Sequence, residues 1–373
     1  MAVRQWIGRH LRELNIHRRR LTRPGRGLRR AIGFVSDLWT GGSGDLRARA
    51  LEPELEEFGW RLICLPTHLS LAQRRRILAL DKPDLIFLQQ SRHPLNRPRL
   101  YPGRPIVFDA DDSDFLDPLC TEAVFECCRE STAIVAGSRF LAESFRPLNP
   151  NVVVVWTGSY LRPTPGSKPA DEREPVVTWA SASPMKYPVE AKLVREVIIR
   201  LAGRTRFTFR LYGISDEERQ AVEEYLEPIR EAGVPVQVHS PMPYVEFVRS
   251  LESATVGLHP VCLSNPFSRG RSFGKLLGYL ASGVAIVTSD AVDHPLFFRD
   301  GVTAMLVGDD VDAWVDRTER LLNDPGLLRR MTEAARPDFL RELTTTKAAE
   351  QVARQFDCAM EIAAEQGRAK VRV

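Results

Sequence analysis

Short apolar runs alternate with longer amphipathic stretches along most of the chain. Residues 31–37 (AIGFVSD), 60–65 (WRLICL), 84–89 (DLIFLQ), 105–109 (PIVFD), 132–138 (TAIVAGS) and 151–158 (NVVVVWTG) are nearly continuous in apolar character. Strands buried on both faces of a parallel sheet read this way. Helical patterns run between them over 45–58, 71–80 and 122–131, with a short one in RFLAESFRP. Pro53 falls inside the first and predicts a kink or break, and Gly59 ends it. The stretch 161–175 (LRPTPGSKPADEREP) holds four prolines and no apolar run, so it reads as a linker. A second alternating series follows, with strands at 176–181, 208–213, 234–240, 254–260, 284–289 and 304–308. Its helices fall at 189–202, 216–233, 244–252, 272–283, 309–324, 326–336 and about 344–366. The pattern predicts an α/β fold of two doubly wound Rossmann-like domains. They span 31–160 and 176–336, preceded by an arm (1–30) and followed by a tail (337–373) whose helix packs back across the domains. Strand C-termini of two such domains would face a shared cleft, and open α/β sheets bind ligands beyond those ends.

The 373 residues are 43% hydrophobic and 27% charged, which is ordinary globular usage and excludes collagen-like and wholly disordered chains. No run of 18 apolar residues occurs, and Arg4, Arg9 and Arg12 interrupt the first apolar stretch, so neither a membrane span nor a secretory signal is expected. The net charge of +4 is unevenly spread. Residues 1–30 carry ten arginines against Glu13, a charge of +9, which leaves the other 343 residues at −5. Nucleic-acid binding by the body is therefore not expected. Val3, Trp6, Ile7, Leu11 and Leu14 share a helical face within the basic arm, as in helices that lie on anionic membrane surfaces. A disordered or partner-bound arm is the alternative. Cys64, Cys120, Cys127, Cys128, Cys262 and Cys358 form no CxxC pair or zinc spacing, so they read as reduced thiols of a cytoplasmic protein.

Two clusters carry chemistry. Arg271, Ser272 and Lys275 open the helix at 272–283, where free N–H groups and the helix dipole already favour anions. Cations are unfavourable at that end without a ligand, so the trio predicts an anion site suited to a diphosphate. Asp109, Asp111 and Asp112 close the strand at 105–109. Grouped carboxylates there serve as a general base, with Asp111 first, or hold a cation, or they cap the following turn. Their mutual repulsion would raise at least one pKa. His259 ends a strand and is placed facing the anion loop. Arg92 and His93, after strand 84–89, are placed on the side of a second substrate. His239 and Tyr212 end neighbouring strands, and Tyr212 either borders a nucleotide or packs in the core. His294, in DAVDHP, is expected on the rim.

The run KLLGYLASGVAIVTSD (275–290), followed by DGVTAMLV and then a helix ending NDP, resembles the C-terminal domain of GT-B glycosyltransferases, specifically the group 1, family 4-like set. The resemblance implies a nucleotide-diphosphate sugar as donor, bound without a metal or other cofactor. It maps the phosphate-contacting lysine onto Lys186 in WASASPMKY, the border of the base onto Ser240–Tyr244, and the glycine loop near the diphosphate onto Gly42 in GGSGD. The same set usually carries a Glu-x₇-Glu motif here, but its two positions fall on Gly270 and Gly278, and the arginine that often precedes the lysine falls near Ser181. A missing carboxylate to a sugar hydroxyl costs about 1.5–3 kcal/mol of binding. Either Arg271 compensates and Gly278 makes room for a bulkier donor, or activity is weak or lost. The resulting expectation is a glycosyltransferase at the cytoplasmic membrane face, moving a sugar to a hydroxyl on a glycan or lipid-linked acceptor. The alternatives are a non-catalytic scaffold on the same fold and, less favoured by the sparse acids near 259–278, a nucleotide-sugar epimerase.

Overall fold

The computed structural model describes residues 27–37, 41–164, 168–271 and 273–371. The described chain divides into two compact units. One runs up to Tyr160 and takes in the segment from Thr345; the other is Leu161–Thr344.

The first unit is built on six parallel strands, β1 (Arg29–Phe34), β2 (Trp60–Leu65), β3 (Leu85–Gln89), β4 (Ile106–Ala110), β5 (Ala133–Ala136) and β6 (Val152–Val154), in the order β2-β1-β3-β4-β5-β6. Successive side chains on a strand point to opposite faces. Ile32, Phe34, Ile86 and Leu88 accordingly enter one core, with helices α1 (Leu71–Asp81), α2 (Thr121–Glu130) and α3 (Arg139–Phe145). Ala31, Leu85 and Phe87 enter the other. This is why the strands are apolar throughout rather than alternating. The predicted helix 45–58 is instead a π-helical turn (Asp45–Arg49), a short helix (Leu51–Glu54) and a 3₁₀ turn (Leu55–Phe58), with Gly59 at φ 83° closing it. Pro53 lies within the middle piece.

The second unit repeats the plan with β7 (Val176–Ala180), β8 (Thr208–Tyr212), β9 (Val236–His239), β10 (Val256–His259), β11 (Ala285–Ser289) and β12 (Met305–Val307), in the order β12-β11-β10-β7-β8-β9. Its helices are α4 (Pro188–Ala202), α5 (Arg219–Glu231), α6 (Tyr244–Leu251), α7 (Gly274–Ala281), α8 (Val311–Asn323) and α9 (Pro325–Glu342). Residues 337–344, assigned from sequence to the tail, belong to this unit. The last helix, α10 (Thr345–Val371), closes the second core of the first unit. Phe356 lies 5.1 Å from Trp60 and 5.4 Å from Phe87, both edge-on, and Asp357 accepts from the Trp60 indole at 2.9 Å. All six cysteines are free thiols. Among the described residues no helix is long and apolar enough to cross a membrane.

Candidate functional site

In the second unit the ends of β7 and β10 are locked to helix α7 by one side chain. The Tyr279 hydroxyl accepts from the Ala180 N–H at 2.9 Å and donates to the Leu258 carbonyl at 3.2 Å. Gly257 leaves room for that ring, because a Cβ there would stand 2.7 Å from it. Gly213, at φ 89°, lets the chain leaving β8 cross the 181–182 backbone; a Cβ would lie 1.6 Å from the Ser181 carbonyl. These approaches bring the loop after β7 and the start of α7 together at the strand C-termini.

The segment between β10 and α7 is held by Glu190, in the first turn of α4. Its carboxylate is fully buried and accepts from the Ser268 hydroxyl, the Cys262 N–H (3.4 Å) and the Asn265 amide (3.5 Å). The helix N-terminus offsets the burial of that charge. This segment delivers Arg271, whose guanidinium stacks 3.7 Å from the ring centroid of Tyr187, the residue that opens α4. Lys186, next in the chain, is exposed. Lys275 stands in the first turn of α7. Neither Lys186 nor Arg271 meets a carboxylate among the described residues, and Arg271 and Lys275 both lie near enough to His259 to act on it. Ser272 lies outside the described residues.

His259 is 3% exposed, with Nδ1 3.3 Å from the Thr288 hydroxyl. His294, expected on the rim, is instead completely buried, with its ring 5.1 Å from His259 and packed against Phe273. Its Nδ1 faces the Ser289 carbonyl at 3.2 Å, an acceptor only, so Nδ1 carries the proton and Nε2 has no partner. Burial pushes His294 down to about 4; burial, then His294, Arg271 and Lys275, hold His259 well below its usual range. Both rings are therefore neutral neighbours of the cation cluster. Tyr212 packs on the inner side of β8 and β9, 2% exposed, stacked 4.7 Å from His239 and accepting from the Ser250 hydroxyl at 3.0 Å. Tyr244 is 4% exposed at the start of α6, while Ser240 is exposed. Gly278 does not make room for a donor. A Cβ at 278 would stand 2.6 Å from Cε1 of Phe247, so the space is filled by α6 packing on α7.

The acidic strand end in the first unit separates into three roles. Asp109 is 1% exposed and bound by Arg47 through Nε (3.1 and 3.0 Å) and Nη2 (2.6 Å), while Arg47 Nη1 donates to the Val155 carbonyl and Thr157. With both oxygens engaged in a buried pair, Asp109 holds β4 to the 45–49 turn and is not available as a base. Asp112 pairs with Arg92 at 2.6 Å, and the same guanidinium takes Asp114 at 2.7 Å. Asp111 accepts from the Ser43 hydroxyl at 2.5 Å and the Gln90 amide at 2.6 Å, with no cation bonded to it. Burial first, then Asp112, raise it to about 7, against the pull of Arg47. Its surroundings are polar and underused. Gln89 Nε2, Gln90 Oε1, Ser91 Oγ and Ser113 Oγ are buried with no partner, and Gln90 holds a left-handed backbone at φ 57°. Orphaned buried polar atoms and a strained non-glycine residue are both uncommon in folded proteins, and both occur around Asp111. Gly42 contributes its carbonyl, which accepts from the N–H groups of Asp45 and Leu46 and starts the π-helical turn. His93 Nδ1 accepts from the Leu95 N–H at 3.0 Å and lies 3.4 Å from Arg74, so it shapes its own turn; burial and Arg74 lower its pKa. Arg47, Ser43, Gln90, Tyr187 and Glu190 escaped the sequence reading. Of these only Gln90, a polar residue directly after an apolar strand, carried a local signal.

Residues 192–354 match the family described as Glycosyl transferase-like. No curated protein matches the chain. Among solved structures, sucrose-phosphate synthase from Thermosynechococcus elongatus superposes with a TM-score of 0.70 at 14% identity, over 88% of this chain and 98% of that one. HepE from Anabaena, solved with UDP and glucose, gives 0.64 at 14% identity over 88% and 100%. A variant of S. aureus TarM, solved with Fondaparinux, alpha-GlcNAc-glycerol and UDP, gives 0.57 at 12% identity over 77% and 58%. The chain has the GT-B glycosyltransferase fold.

Proposed function

We propose that this GT-B chain is a glycosyltransferase that moves a sugar from a nucleoside-diphosphate donor to a hydroxyl of a glycan or lipid-linked acceptor, in polysaccharide or glycolipid assembly. One observation carries the reading: Arg271, stacked on Tyr187 beside Lys186 and ahead of Lys275, stands at the strand ends of the second unit, where neither Arg271 nor Lys186 has a carboxylate partner among the described residues. Such cations stabilise charge that develops on a departing diphosphate. The match of residues 192–354, which include Arg271 and Lys275, to the glycosyl transferase-like family, and the UDP seen in HepE and TarM, support the donor class.

In the reaction the acceptor oxygen bonds to the anomeric carbon as the bond from that carbon to the diphosphate oxygen breaks. The electron pair leaves with the diphosphate, and the acceptor's proton passes to Asp111. A base serves best when its pKa lies near the working pH, and the value of about 7 meets that condition. The scheme assigns no step to a metal or other cofactor. The basic arm suits a peripheral position on an anionic cytoplasmic membrane face; most of it, 1–26, lies outside the described residues.

The absent carboxylates at 270 and 278, with Phe247 filling the space beside Gly278, favour a second reading as a non-catalytic nucleotide-sugar binder. One assay separates the two: the purified chain is incubated with UDP-, GDP- and TDP-sugars and release of the nucleoside diphosphate is followed. Turnover of one donor, lost in Arg271→Ala, supports the enzyme. Saturable binding of a donor with no turnover, with or without glycan acceptors, overturns it in favour of the binder.

A further inference from the structure

We infer that Gln90 is a positioning residue for sugar transfer: from the end of β3 its side-chain amide holds the Asp111 carboxylate in the place and the charge state a base requires. It rests on Asp111 being the base proposed for that transfer. Gln90 follows β3 and Asp111 follows β4, and these strands are neighbours with Gln89 opposite Asp109. The Gln90 N–H donates to the Asp109 carbonyl at 2.8 Å, which ties its backbone to the strand that carries Asp111. Its carbonyl accepts from the Asn96 amide at 3.0 Å, and Asn96, completely buried, donates also to the carbonyls of Phe34 and Gln89. These bonds hold Gln90 in a left-handed backbone at φ 57°. From there its amide nitrogen donates to Asp111 Oδ1 at 2.6 Å, while the Ser43 hydroxyl donates to Oδ2 at 2.5 Å. On the opposite side Gly137, beyond β5, leaves room for Asp111, because a Cβ there would stand 2.8 Å from the Asp111 Cα and Cβ.

Two costs accompany that one bond. A left-handed backbone is strained for glutamine, whereas glycine takes it freely. Gln90 Oε1 is also buried with no partner, so among the described residues the amide is satisfied by Asp111 alone. Gln90 is 1% exposed and does not itself meet a substrate; its effect passes through Asp111, which is half-buried and reachable. An N–H bonded to a carboxylate favours the charged form, and one donor on each oxygen fixes the group in rotation. Gln90 thereby works with Ser43 and Arg47 against burial and against the negative charges of Asp112 and Asp109. Arg92 is a further cation facing the group.

The test is the pH profile of kcat/KM for the full chain with side chains of similar size at position 90. Gln90→Met removes the donor, and Gln90→Glu replaces it with a negative charge. In Gln90→Met the acidic limb should move up by about one pH unit, read as about tenfold lower kcat/KM near pH 6 and little change near pH 9. Gln90→Glu should move it further. KM for the donor should stay near the wild-type value, since Lys186, Arg271 and Lys275 are untouched. Gln90→Asn accepts a left-handed backbone more readily and draws the amide back by one methylene. It keeps the test open if the other two variants do not fold, and its limb should move in the same direction. The Asp111 titration is followed separately through the pH dependence of urea unfolding, and should move with the limb. Variant profiles and titrations that superpose on the wild type would overturn the inference and leave Gln90 a purely structural residue. An unchanged profile in Asp111→Asn would instead overturn the assignment of Asp111 as base, and absence of turnover in the wild type would overturn the transfer itself; either takes the role of Gln90 with it.

Discussion

Replacing Asp111 by Asn should remove one pH dependence from the stability of this chain and make it more stable at alkaline pH. Burial and Asp112 raise the carboxyl from its ordinary 3.8 to about 7. Between those values the folded chain keeps a proton that the unfolded chain has lost. The stabilisation from this group is therefore complete below about pH 4 and disappears as pH rises through about 7. At roughly 1.4 kcal/mol per pH unit, the window is worth up to about 4 kcal/mol. Partial exposure of the carboxyl and its coupling to Asp112 bring this towards about 2 kcal/mol. Asparagine keeps the shape. Its Oδ1 can accept from Ser43, and Gln90 can turn its amide so that the unpartnered Oε1 accepts from the new Nδ2. Urea unfolding of both proteins at a series of pH values gives the difference directly. The variant should gain about 2–4 kcal/mol on the wild type between about pH 4 and pH 8. A difference that stays flat across that range would refute the placement of Asp111. Donor turnover should fall in the same variant, and the acidic limb of the kcat/KM profile near 7 should go with it.

Three further outcomes follow from the geometry. Arg271→Ala should weaken nucleoside-diphosphate binding by about 10–100-fold, read by calorimetry, because one charge-assisted contact is lost. Gly278→Glu, the change that restores the missing motif carboxylate, should lower Tm by several degrees rather than raise activity; its Cβ alone meets Phe247 at 2.6 Å, and overpacking of this kind costs about 1–3 kcal/mol. Adding Phe247→Ala should recover part of that loss. Asp109→Asn leaves the Arg47 charge buried with no carboxylate and should cost about 3–5 kcal/mol in denaturant unfolding, and the titration assigned to Asp111 should move down, because the Asp109 charge is one of those that raise it.

The apolar runs from Ala31 to Val35 and from Trp60 to Leu65 announced buried parallel strands by themselves, because residues that alternate between two cores must all be apolar. Gly59, Pro53 and the KLLGYLASG run were equally legible, since turn geometry and helix capping act over a few residues. The sequence grouped Arg271, Ser272 and Lys275 at one helix start and put Asp111 first among the acids, while Lys186 was added by the resemblance to GT-B glycosyltransferases. Only the tertiary structure decided which charges were spent on the fold. Arg47 reaches Asp109 across 62 positions, Ser268 reaches Glu190 across 78, and Phe247 fills the space beside Gly278 from another helix. His294 looked like a rim residue and became core for the same reason. Local periodicity reports which face of an element is buried; which side chain meets which is set by packing between elements distant in sequence, and no local pattern carries that distance.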